Sequence, residues 1–190
     1  PTYVQKMISD KSFKVHDIFS VINFLKNNEA KSFDIKRINF VSSFFKGKLK
    51  GSWEPASLLK NKEVLFIGPC PISDKLKSKI YKFAKNKNLI VIALNAHNSV
   101  KEEFIDYRIA CNPFRLIADL EKHINLEKPL ITPASMLSEE IRSKLSKKIL
   151  LDFGLRVLKS QFQFFDSKAI LPSSKVIAYA LAVSASGKVK

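Results

Sequence analysis

Four short stretches carry the residue types that hold a phosphate or a nucleotide: GPCP (68–71), NAHN (95–98), NPFR (112–115) and PSS (172–174). Each stands just after an apolar run or just before a helical pattern. In open parallel sheets, ligands collect beyond the carboxyl ends of the strands. Gly68, followed by Pro69, lets a backbone pass close to a ligand. Asn95 and Asn112 offer amide donors and acceptors to a base or ribose without bringing a charge. Ser173 and Ser174 precede a helix, and Ser73 opens another; the first N–H groups of a helix suit an anion. His97 is a candidate acid, base or phosphate donor, alongside the plainer reading of a surface histidine. The other residues have plain readings too: Gly-Pro as a tight turn, the asparagines as Asx turns, the serines as helix caps. Only their convergence at one sheet edge favours a nucleotide.

Other chemistries find little support. No Gly-x-Gly-x-x-Gly, no Walker lysine and no Gly-x-Ser-x-Gly occurs in the chain. No His-x-His or carboxylate cluster has metal-ligand spacing. Asp106, Asp119, Asp152 and Asp166 stand apart from one another. Cys70 lies where a helix begins, which can favour a reactive thiol. With no resolving cysteine or paired histidine nearby in sequence, the expectation is an inert, buried thiol. His16 and His123 fall within helical patterns, as structural or exposed residues. No self-sufficient active site assembles from these parts.

The elements that must position these residues follow from apolar periodicity. EVLFIG and LIVIALN are continuous apolar runs of strand length, the mark of strands buried on both faces. DYRIACNPF reads as a third, more polar strand ending at Asn112, and KPLITPAS as a fourth. Between the first two, Ser73 and Asp74 offer N-caps to a helix with Leu76, Ile80, Phe83 and Ala84 as its stripe. RLIADLEKH is a short helix with Leu116, Ile117 and Leu120 inward. Ser138 and Glu140 open the helix SEEIRSKLS. KKILLDFGLRVLKSQFQFFDSKAIL is extended, with a break at Gly154, and PSSKVIAYALAVSASG closes with a helix begun by Pro172 and Ser173. Strands alternating with helices give an α/β class: a Rossmann-like, mostly parallel sheet with helices on both faces.

Residues 1–60 read differently, as a small helical segment. Val15, Ile18, Val21, Ile22 and Leu25 share one helical face, as do Ile35, Ile38, Val41 and Phe45. Pro55 suits a first helical turn, and Trp53 a packing anchor. These helices lack a core of their own and are expected to pack on something else. The division is therefore 1–60 helical and 61–190 α/β. The chain begins with Pro and ends on residues that read as the start of a strand, so it is expected to be part of a longer protein.

The 190 residues carry 33 Lys and Arg against 17 Asp and Glu, a formal charge of +16. Only five of those cations are Arg, and the lysines are scattered along helix faces. That is the pattern of a solvated surface rather than of a nucleic-acid groove. No apolar run reaches the roughly 18 residues of a membrane helix. No signal peptide is visible, and two cysteines make no disulfide framework, so a cytoplasmic setting with no membrane partner is the expectation.

Two resemblances accompany this reading. PTYVQKMISD resembles the segment that follows the catalytic barrel in 4-hydroxy-2-oxovalerate aldolase and hydroxymethylglutaryl-CoA lyase-like enzymes. That likeness covers residues 1–25. GSWEPA, YRIACNPFRLIADLEKH, PLITPASMLSEEIRSKL and LDFGLRV look like the C-terminal extension of bacterial aldolase-like proteins. The resemblance implies an upstream lyase barrel with a divalent metal, a docking partner lying outside this chain. The α/β part is also similar to the Rossmann-like core of bacterial sialyltransferases and motility-associated glycosyltransferases. Gly68-Pro69, Asn95, Asn112-Pro113 and Ser173-Ser174 fall in the order of that family's motifs. There they hold the nucleotide of a CMP-sugar, which implies a nucleotide or nucleotide-sugar ligand here. GPCP stands where that family has a second Gly and a Ser, and PSSK lacks its Gly. The resemblance puts that family's catalytic histidine beyond residue 190, so it carries binding and not transfer. The alternative is a non-catalytic interaction or oligomerisation module docked on the barrel.

Overall fold

The computed structural model describes residues 45, 47–96 and 99–190. The helices expected before residue 44, the aldolase-like opening, His16, His97 and Asn98 lie outside the described residues. Five strands form one parallel sheet: β1 (Val64–Ile67), β2 (Ile90–Leu94), β3 (Tyr107–Ile109), β4 (Leu130–Thr132) and β5 (Leu150–Asp152), in the order β1-β2-β3-β4-β5. The molecule is thus α/β and Rossmann-like. Strand order never reverses along the described sheet.

Alternation sorts the strand residues onto two faces. Phe66, Ile92, Leu94, Ile109, Cys111 and Ile131 belong to one core. Against it lie α1 (Ala56–Leu59) and the last helix, α6 (Val176–Ser186). Mean hydropathy along α6 is high and its apolar residues run nearly all round, so Tyr179, Ala180, Ala182 and Val183 can be buried while Ile177 and Leu181 remain exposed. The other face carries the crossover helices: α2 (Asp74–Lys87), α3 (Pro113–Ala118), α4 (Leu120–Asn125) and α5 (Glu139–Lys144). Right-handed crossovers in an unreversed strand order put them all on one side.

α2 begins where expected, with Ser73 Oγ accepting from Leu76 N, and ends on Asn88 in the left-handed region. Its buried stripe agrees with the expected one at Ile80 and Ala84 and departs from it at Leu76 and Phe83. Ile80, Tyr81 and Ala84 face the sheet, whereas Leu76 and Phe83 are about half exposed. The expected single helix after Asn112 is two, divided at Asp119, with Leu116, Ile117 and Leu120 inward as read. Ser138 caps α5 by accepting from Ile141 N.

The chain changes sheets at Phe153. β5 ends at Asp152, and β6 (Gly154–Val157) joins β7 (Gln163–Phe165) and β8 (Lys168–Leu171) in a second sheet of order β6-β8-β7. Segment 50–53 is wedged into this corner. The backbone N–H groups of Ser52 and Trp53 both donate to the Asp152 carbonyl at 3.0 Å. The Asp152 carboxylate accepts from Ser52 N (3.1 Å), Ser52 Oγ (3.2 Å) and Ser135 N (2.9 Å). Residues 50–60, read from sequence with the helical segment, are therefore built into the α/β unit, and Leu59 is wholly buried in its core. Two glycines permit the wedge. A Cβ on Gly51 would meet Ser167 O at 2.1 Å, and one on Gly154 would meet Lys50 O at 2.1 Å. Among the described residues no helix is long and apolar enough to cross a membrane.

The corner gives a direct prediction. Gly154→Ala forces backbone apart and should cost about 3 kcal/mol or more, read as a large drop in the urea midpoint. Gly68→Ala meets nothing within 4 Å and should leave the midpoint within about 1 kcal/mol. Equal effects of the two would contradict this account of the corner.

Candidate functional site

The carboxyl ends of β1, β2 and β3 stand side by side, because Ile67 pairs with Ala93 and Leu94 with Ile109. Gly68 follows β1 with open space beside its Cα and with no left-handed φ. Pro69 and Cys70 are exposed. The loop is tied to the next one by Ser99 Oγ, which donates to the Cys70 carbonyl at 2.9 Å. The expectation of a buried Cys70 is thus corrected: the GPCP loop projects from the sheet edge, and the buried thiol is Cys111.

Asn95 closes β2 in the left-handed region (φ 63°), which asparagine tolerates better than most residues. Its N–H donates to Ile109 O at 2.8 Å. The side chain is 4% exposed, and its amide oxygen has no hydrogen-bond partner among the described residues. A buried amide oxygen in that state is uncommon. The Asn95 carbonyl is held from the far face of β3 by Arg108 Nη1 at 3.1 Å, and the Ala96 carbonyl by the same nitrogen at 3.3 Å.

Asn112 does two things at once. Its Oδ1 accepts from Phe114 N (3.0 Å) and Arg115 N (3.4 Å), capping α3, and its Nδ2 donates to Ser174 Oγ at 3.2 Å. Cys111 Sγ donates to the Ser174 carbonyl at 3.4 Å. Burial pushes the Cys111 thiol far up, so it stays protonated and serves as a donor. These contacts change the role read for the serines. Neither Ser173 nor Ser174 caps α6: the N-cap is Lys175, and no side chain caps the first turn. Ser174 is already engaged by Cys111 and Asn112, and the helix starts two residues beyond it, at Val176.

The structure therefore brings Gly68, Pro69, Asn95, Asn112 and Ser174 to one sheet edge, with Ser173 buried beside Ser174. It links Asn112 directly to Ser174 and leaves Asn95 Oδ1 unused. Among the described residues no three His, Cys, Asp or Glu side chains are grouped to hold a metal.

Sequence reasoning missed the pair beneath this edge. Arg108 is 2% exposed although it lies in the middle of β3. Its Nε donates to Glu102 Oε1 at 3.2 Å, and its Nη2 donates to Glu102 Oε2. Burial would raise the Glu102 carboxyl, but the hydrogen bonds and charge of Arg108, with Lys128 N and Lys148, hold it below its ordinary value. The available signal was a cation at a position where alternation demands an apolar residue. No protein-family model, no curated protein and no solved structure matches this chain.

Two measurements follow. A thiol reagent should titrate one cysteine, Cys70, in the native protein and two after denaturation; native labelling of Cys111 would contradict its burial. Glu102→Gln leaves a buried guanidinium half-paired and should cost about 2 kcal/mol at neutral pH, discounted because the carboxylate is partly exposed. A lowered folded-state value means this stabilisation is present above the ordinary 4.5 and is lost as pH falls below it. The gap between wild type and Glu102→Gln should therefore narrow in acid, by urea melts between neutral pH and pH about 3.

Proposed function

We propose that the carboxyl edge of the sheet binds a nucleotide or nucleotide-sugar, and that this α/β unit serves as the C-terminal part of an aldolase-type lyase in the cytoplasm. The observation that carries the binding reading is the convergence of Gly68, Asn95, Asn112 and Ser174 on one sheet edge beside the uncapped start of α6. An unused amide oxygen suits the N–H or hydroxyl donors of a base or ribose. Free N–H groups at the start of an 11-residue helix suit a phosphate. The open side of Gly68 leaves room for the ligand's body. The link to a lyase rests on the resemblance of residues 1–25 and of GSWEPA, YRIACNPFRLIADLEKH, PLITPASMLSEEIRSKL and LDFGLRV, and not on the described fold. Metal-dependent bond cleavage would belong to the barrel and not to this unit.

A second reading, an interaction module, is favoured by one feature. Phe162, Phe164 and Phe165 are exposed around the edge strand β7, and Ile177 and Leu181 are exposed on α6. Exposed aromatic residues on an edge strand invite pairing with another chain.

Calorimetric titration with CMP, UDP and a CMP-sugar separates the two. Binding in the micromolar to millimolar range is expected, weakened about tenfold by Asn95→Ala, the loss of one well-placed hydrogen bond. No heat at millimolar ligand, together with a dimer that Phe164→Ser dissociates in sedimentation runs, would replace nucleotide binding by the second reading.

A further inference from the structure

On the sheet face opposite α6, three of the four crossovers supply an α-helix. The β2–β3 connection supplies only the three-residue 3-10 turn Glu102–Phe104. It is held against α2 by Tyr81, whose hydroxyl accepts from Lys101 N at 3.2 Å and whose ring meets Phe104 at 4.3 Å between centroids. A turn cannot fill the width of a helix. Beside this connection and α4 lies an open cleft of about 430 Å³. That volume lies in the range of small-molecule sites, roughly 300–1,000 Å³.

The lining mixes charged, polar and apolar groups. Glu102 and Arg108, with Lys122 and Asn125 of α4, supply its polar lining, and Ala96, Val100 and Leu126 its apolar lining. Arg108 has five N–H donors. Nε and one Nη2–H go to Glu102, and Nη1 serves the carbonyls of Asn95 and Ala96. One Nη2–H thus has no acceptor among the described residues, on a guanidinium that is itself 2% exposed. Lys148 donates to the carbonyl of Leu126, a lining residue. Burial and the charge of Arg108 lower its ammonium, against Glu102 and Glu127, which raise it. Two cations, Arg108 and Lys122, and one carboxylate, Glu102, line the cavity itself.

We propose that this cavity is a binding site for a small oxyanion-bearing molecule, one whose carboxylate or phosphate lies between Arg108 and Lys122. Arg108 presents its remaining N–H, Lys122 a second charge-assisted donor, and Asn125 an amide that orients the polar body. Glu102 fixes the guanidinium plane and so acts as a positioning residue. The site lies across the sheet from the α6 edge and does not rest on the nucleotide reading. It does touch it structurally: Arg108 grips the Asn95 and Ala96 carbonyls, so an anion in the cavity pulls on the residue that closes β2.

The test is a ¹⁵N NMR titration of the full chain with inorganic phosphate and, separately, with succinate. Saturable shifts are expected at the amides of Val100, Asn125 and Leu126, and the better of the two probes tells a phosphate site from a carboxylate site. Lys122→Gln, at an exposed position, should keep the native spectrum and weaken binding about fivefold, the loss of one charge contact. Lys122→Arg should restore it. The proposal fails if neither probe gives saturable shifts, if the shifts fall at Gly68, Ser173 and Ser174 instead, or if Lys122→Gln binds as wild type does. Nucleotide binding that survives Lys122→Gln alongside lost phosphate binding would leave the two sites independently established.

Discussion

The structure turns on the carboxylate and carbonyl of Asp152. At this residue the last strand of the parallel sheet has to leave it and enter a second sheet. A strand that turns away strands its own hydrogen-bonding groups, and buried ones need partners. Asp152 resolves the corner by gathering them from a distance: two backbone N–H groups of segment 50–53 on its carbonyl, and Ser52 and Ser135 on its carboxylate. The two contacts between backbones that make this possible leave no room for a Cβ at Gly51 or Gly154. β6 and β8 can then close over the same core that α6 and α1 fill.

That corner also decides what the two faces of the main sheet can do. With β6, β8 and α6 on one face, the carboxyl ends of β1 to β3 meet a helix start that comes from the end of the chain. Strand order does not reverse, so the crevice of a doubly wound sheet is not what gathers residues here. Ser174 reaches Asn112 because α6 is laid across the sheet, and the contact that brings it there withdraws Ser174 from capping. On the opposite face the missing crossover helix exposes β3 from the side. A buried guanidinium there is costly unless it is paired and fully bonded. Glu102 and two carbonyls answer most of that cost.

Legibility in the sequence followed the kind of interaction. β1 and β2 are unbroken apolar runs, so burial on both faces wrote them plainly, and the caps at Ser73 and Ser138 are local hydrogen bonds between residues three apart. Asn112 was visible as a residue of consequence, though its work as a cap and as a donor to Ser174 depends on a partner 62 residues away. The N-cap of α6 was misplaced for the same reason. Leu76 and Phe83 fall on the periodic stripe of α2 yet stay half exposed, because periodicity gives a face and not its rotation against the sheet. Asp152 looked isolated because its partners, Ser52 and Ser135, are 100 and 17 residues distant. Arg108 lies inside a strand whose sequence is only somewhat polar, and nothing local announces that Glu102 will cover it.

The unreversed strand order has a further consequence, for the order of assembly. Every strand of the main sheet pairs with its neighbour in the chain, so each addition closes only a short loop. Such a sheet can grow strand by strand without waiting for distant segments, and low sequence separation favours speed. Segment 50–53 is the exception. It must wait until β5 exists, and closing its 100-residue separation costs roughly 4 kcal/mol of chain entropy. The first piece of this unit to be made is therefore the last that can be locked, and the corner at Asp152 is the clasp rather than the nucleus of the fold.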